Sequence, residues 1–280
     1  MVKKIGLVIS SLDNIARAVV VNGILQNILF FYNYLKYMTD ANVFFILRTC
    51  NNSTYDFILY HELDKIRTLD YAIVVGARLP APLLDFCKTY NIKTILYRFG
   101  NDLVYDTTQM LFDRSTNKIS IKNDHLYDEN WISPHFEYGS CYYKYIHKTD
   151  KSIVVPYFWQ PDFIEHLSYT NTNLNEINIG VFESNSNFSK SSFIPIIICE
   201  NSKEYINKKY IFNSSRIYKK TRIFKEFINK SVLFEENRLS LEQRHDFKKV
   251  INNRCNVVIS FVENCDLNYL YLECFYLGIP

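Results

Sequence analysis

Residues 256–280 read NVVISFVENCDLNYLYLECFYLGIP, and the fold is decided there. The run 256–260 (NVVIS) is short, apolar and β-branched, which predicts a strand. A polar loop follows. Residues 267–277 then have the length of a helix, and Gly278 suits its left-handed cap. Strand, loop and helix in that order form half of a βαβ unit.

The same alternation extends upstream. Strands are expected at 4–10, 43–47, 70–75 (DYAIVV), 92–98 (IKTILYR), 131–133 and 153–155. Helices are expected at 23–38, at 80–90 with Pro80 and Pro82 in the first turn, and at 135–147. A polar, turn-rich stretch, 169–175 (YTNTNLN), separates this half from a restart. In the second half, strands are expected at 177–182, 209–212 and 232–234. Helices are expected at 191–199 and 216–229, and from 241, where 240–243 (SLEQ) matches a capping box. Short strands alternating with longer helices imply parallel sheets covered on both faces. The expectation is α/β, with two tandem Rossmann-like domains at 1–160 and 161–280. Ligands of such sheets bind outside the carboxyl ends of the strands, so a cleft between the domains is expected to hold the site.

Composition narrows the function. The chain has 280 residues, 48% hydrophobic and 22% charged, as a globular protein does; 16% aromatics argue against disorder. A net charge of +3 lacks the basic excess of a nucleic-acid binder. No apolar run approaches the ~20 residues of a membrane span, and the basic-then-apolar start MVKKIGLVIS reads as a strand rather than a leader. Seven scattered cysteines suit a reducing, cytoplasmic setting. The seven glycines, no two close together, exclude G-x-G-x-x-G, the P-loop and the G-x-S-x-G elbow. There is no H-E-x-x-H, C-x-x-C or D-x-D, so neither a metal nor another cofactor is expected.

Several segments resemble a small family of bacterial and large-DNA-virus proteins related to GT-B glycosyltransferases: VNGILQN (21–27), LYRFGNDLVYD (96–106), MLFDR (110–114), VVPYFWQPDFIE (154–165), VFESNSNFSKSSFIPIIICE (181–200) and 256–280. The last also resembles the donor-domain signature of retaining GT-B enzymes, in which two glutamates flank the start of a helix ending small-Gly-x-Pro. Here these are Glu263 and Glu273, ten positions apart where the general pattern has eight. The resemblance implies a GT-B fold whose second domain holds a nucleotide-diphosphate sugar as substrate, and transfer with retention. It also implies that the second domain is incomplete at Leu-Gly-Ile-Pro, with a partner chain as a candidate to supply the missing part.

The candidate residues follow. Glu273 is suited to accept hydrogen bonds from a ribose diol; the alternative is a helix-surface glutamate. Glu263 and Asn264 follow a strand, as a site or as a solvated loop. Glu183, Asn185 and Lys190 follow the strand 177–182, with Lys190 placed to neutralise a diphosphate near a helix start. Arg216 and Lys219 lead a basic cluster after the next strand, which is otherwise a solvated helix face. Asn22 and Gly23 allow close backbone approach to phosphates, or cap a helix. Asp102 is the candidate base or hydrogen-bond partner for the acceptor, or else a helix cap. His135 is left out as a structural histidine. The expected function is metal-independent transfer of a sugar to an unknown acceptor in the cytoplasm, the host's if the chain is viral. The alternative is a non-catalytic remnant, acting as a nucleotide-sugar binder or a structural virion protein.

Overall fold

The computed structural model describes residues 2–9, 23–50, 54–112, 124–146, 148, 152–170, 175–185, 188–264 and 268–280. The chain divides into two compact units, Met1–Trp159 and Gln160–Pro280.

The first unit is built on a sheet of seven strands: β1 (Lys4–Val8), β2 (Asn42–Leu47), β3 (Phe57–Leu59), β4 (Tyr71–Val75), β5 (Lys93–Arg98), β6 (Glu129–Ile132) and β7 (Ser152–Val154). Their order is β3-β2-β1-β4-β5-β6-β7, and every neighbouring pair is parallel. Central strands such as β4 (YAIVV) are apolar at nearly every position, as a strand covered on both faces requires. The helix Gly23–Met38 buries Ile28 to Tyr32 and Leu35. Its Tyr32 stacks on Phe45 of β2, with ring centroids 4.7 Å apart.

The second unit has four strands, β8 (Ile177–Val181), β9 (Ile206–Ile211), β10 (Leu239–Leu241) and β11 (Val257–Val258), in the order β10-β9-β8-β11. All pairs are parallel. One core lies against the helices Phe193–Asn201 and Arg222–Ile228 and includes Val181, Ile196, Cys199, Phe224 and Leu233. A second core joins Phe212, Val250 and Cys255 to Leu270 and Cys274 of the last helix, Tyr269–Leu277. Gly180 is required between these layers, because a Cβ there would come within 2.7 Å of the Phe182 ring and 2.8 Å of Cys255 Sγ. The parallel α/β class read from the sequence is the class observed.

Three local readings are corrected. Residues 232–234 form no strand; Val232–Glu235 is a helical turn whose N-cap, Ser231, accepts from Phe234 N. Residues 240–243 start no helix. Leu239–Leu241 is strand β10, and the Ser240 hydroxyl bonds to Glu242 instead of capping. The helix there begins after Asp246, whose side chain accepts from Lys248 N. The single helix expected at 216–229 is two, Ser215–Lys220 and Arg222–Ile228, parted at Thr221, which has extended backbone. No helix among the described residues is long and apolar enough to cross a membrane.

Candidate functional site

In the second unit, β8 lies between β9 and β11. The helix after β8 packs on one face of the sheet and the helix after β11 packs into the other core. The chain therefore leaves two adjacent strands in opposite directions, which opens a crevice at their carboxyl ends. Glu183 stands at its centre. It is 2% exposed, and its Oε1 accepts from the Ser260 hydroxyl and from Phe261 N, the latter at 3.1 Å. Burial raises the pKa of the Glu183 carboxyl, while these two donors and the charge of Lys190 draw it back down. Ser260 in turn reaches the Tyr271 hydroxyl of the last helix at 3.3 Å.

The neighbouring loops are tied to the same point. Asn213, after β9, donates from Nδ2 to the carbonyls of Phe182 (3.1 Å) and Glu183 (3.2 Å). Asn185 Oδ1 accepts from both the backbone N and the hydroxyl of Ser192, at 2.9 Å each, so it caps the start of the helix Phe193–Asn201. Asn185 N bonds to Lys190 O, and Glu263 N bonds to Ser189 O, both at 2.9 Å. Asn185, Asn213 and Asn264, one in each loop, all take left-handed backbone, with φ between 52° and 59°. Asparagine tolerates that region better than most residues.

Of the residues expected here, Glu183, Asn185, Lys190 and Glu263 are brought together, with Asn264 next along the chain. Glu183 was expected to face the donor, and in the structure it is engaged within the protein. Its carboxylate faces inward and holds the 260–261 backbone, because its hydrogen-bonding donors come from the neighbouring loop rather than from solvent. Glu263 and Asn264 are exposed. Glu273 is half-buried, midway along Tyr269–Leu277 rather than at its start. Its charge acts on Lys248 and pushes the Cys274 thiol, already raised by burial, to about 12. Arg216 is exposed, three residues beyond Asn213, and Lys219 is exposed one turn further, in the last turn of Ser215–Lys220.

In the first unit the carboxyl end of β5 carries a buried charge network. The Arg98 guanidinium donates to Asn130 Oδ1 (2.7 Å), Asp124 Oδ2 (2.5 Å) and Asp102 Oδ2, and lies over the Tyr143 ring. Arg78 closes the cluster on Asp124 at 2.8 Å. Asp102 opens the helix Asp102–Phe112. Its carboxylate is engaged by Arg98 and its side chain is 31% exposed, so it stands as a fixed hydrogen-bond acceptor. Gly23 is the exposed first residue of its helix, its carbonyl bonded by Asn27; Asn22 lies outside the described residues. Among the described residues no three His, Cys, Asp or Glu side chains come together to hold a metal ion.

A family model described as "Protein of unknown function (DUF2827)" matches residues 5–280. The chain belongs to this family. No curated protein sequence matches it. Solved structures do. A glycosyltransferase from Rickettsia africae is similar with a TM-score of 0.55 at 16% identity, over 92% of this chain and 73% of that one. Anabaena HepE in complex with UDP-glucose gives 0.61 at 9% identity, over 99% and 79%. Sucrose-phosphate synthase from Thermosynechococcus elongatus gives 0.53 at 11%, over 99% and 80%. At these identities the likeness is one of fold, the GT-B type with its parallel α/β units.

In this DUF2827 chain the residues that sequence reasoning missed are those that tie loops together. Asn213 carried a weak signal, a polar Asn-Ser pair just after a strand. Ser260 carried none, since it reads as the end of NVVIS. Asp124 is 26 residues from its partner Arg98, and no local pattern marks such a pair.

Proposed function

We propose that the chain is a glycosyltransferase that takes a sugar from a nucleoside-diphosphate donor. The donor lies at the carboxyl ends of β8, β9 and β11, and the first unit presents the acceptor near Asp102. The observation that carries this reading is the meeting of the β8 and β11 loops, which bear Lys190, Asn185, Glu263 and Asn264, where the strand order reverses, in a fold shared with a protein whose structure holds UDP-glucose. Lys190 and Arg216 supply positive charge for the leaving diphosphate, which is where electrostatic stabilisation of the transition state is most effective. This role needs no metal ion. Glu273 accepts hydrogen bonds from the ribose. Transfer with retention is supported by the likeness of 256–280 to the retaining signature. The six described cysteines are free thiols, which suits a reducing, cytoplasmic setting.

The test is a thermal-shift screen of the whole chain against UDP-, GDP- and dTDP-sugars, with release of nucleoside diphosphate followed in parallel. One donor class should stabilise the protein, by about 2.7 kcal/mol at 100 times Kd, and should be turned over slowly. Glu273→Gln should weaken that donor about tenfold, or about 1.4 kcal/mol. Stabilisation without release would mark a binder, and no response to any nucleotide sugar would refute the reading.

A further inference from the structure

We infer that Glu183 is a positioning residue, a latch that spans the crevice between β8 and β11 and sets the spacing of the loops that hold the donor. This rests on the donor-site reading above. The topology creates the need. The chain departs from β8 and β11 to opposite faces of the sheet, and the two-residue β11 pairs with β8 only at Val257 and Val258. Beyond Ile259, whose N still bonds to Gly180 O at 3.1 Å, no strand ladder holds the two loops together. Glu183 takes over at that point. It is fixed on its own side by Asn213 and Asn185, which both donate to its carbonyl. Across the crevice it receives Ser260 Oγ and Phe261 N. Glu263 N on Ser189 O is a second tie further out.

A buried carboxylate is a costly way to join two loops, and a hydroxyl or amide would bond Phe261 N with less desolvation. What the carboxylate adds is two strong charge-assisted bonds from one oxygen, hence a sharply defined position for Phe261 and for Glu263 and Asn264 after it. Through Ser260 the latch also reaches Tyr271, two residues before Glu273. One side chain thus fixes both walls of the crevice and the helix that carries the ribose-binding candidate, while itself pointing away from solvent.

The experiment compares the whole chain with Glu183→Ala, Glu183→Gln and Ser260→Ala. UDP affinity is read by calorimetry, stability by thermal unfolding, and the loops by amide hydrogen exchange. In Glu183→Ala the amides of residues 261–263 should exchange faster, and UDP should bind about tenfold more weakly. Glu183→Gln keeps an acceptor oxygen but not the charge, and should fall between Glu183→Ala and the parent on both. A purely structural role would lower the unfolding temperature and leave UDP affinity within about twofold of the parent; that result overturns the inference, as does unchanged exchange at 261–263. Should Glu183→Ala fail to fold, Ser260→Ala decides: about threefold or greater loss of UDP affinity supports the latch, and parent-like affinity overturns it. A parent chain that binds no UDP would instead refute the donor-site reading, which keeps the two failures apart.

Discussion

Lys209 shows how far a single residue can depart from what its sequence context suggests. It belongs to β9 (INKKYI), which reads as a half-exposed polar strand, yet its side chain is completely buried. Its ammonium donates to Ile196 O at 3.2 Å. Burial pulls its pKa below the ordinary 10.5, while Cys199 and Glu200 oppose this. A lysine with a lower pKa folded than unfolded costs stability while it is charged; that cost fades as pH rises from the folded value towards 10.5 and is fully felt once pH falls through the folded value. Lys209→Met should therefore stabilise the protein at neutral pH, by about 1–4 kcal/mol if it follows other buried charges replaced by apolar groups. Urea unfolding at pH 7 and pH 10 checks this. The advantage should shrink at the higher pH, and a constant difference would mean that Lys209 is not titrating as argued. Glu183 makes the complementary point. Its place after a strand was legible, but its hydrogen bonds were not, because its partners Ser260 and Phe261 are 77 and 78 residues away.

At the level of elements, apolar runs between turn residues revealed the strands at the centres of the sheets, such as DYAIVV and IKTILYR. The β10 edge of the second sheet was not legible. β10 is three residues long, too short for a period to show, while Val232 to Phe234 present an apolar run that tertiary contacts turn into a helix. The decisive contact is distant: Glu200 accepts from both the Ser231 hydroxyl and Val232 N, so a carboxylate from the helix Phe193–Asn201 caps this one. Ser231→Ala removes the cap to Phe234 N and the bond to Glu200. It should cost about 1 kcal/mol, the usual loss for an N-cap serine, measurable as a lower urea midpoint with unchanged slope. A neutral result would mean that water replaces the hydroxyl and that the helix is held by Leu233 alone.

For the molecule as a whole, the two units carry separate cores, Leu84, Val74 and Leu96 among those of the first, Val181, Ile228 and Leu233 among those of the second. Among the described residues neither sheet takes a strand from the other. Calorimetry should therefore resolve two unfolding transitions rather than one, and UDP should move only the transition of Gln160–Pro280; a single transition, or a shift of both, would show that the units unfold as one. The expectation of two tandem units came from the restart of the pattern after a polar stretch, whereas the assignment of donor and acceptor sides came from resemblance and not from the pattern. One feature of both sheets reaches beyond the binding of substrate. Among the described residues the outermost strands are β3, β7 and β10, with three residues each, and β11, with two. Strands this short expose too few unpaired amides and carbonyls to template a foreign chain. In a protein so rich in tyrosine, phenylalanine and isoleucine, sheet margins this brief limit edge-to-edge pairing between folded molecules.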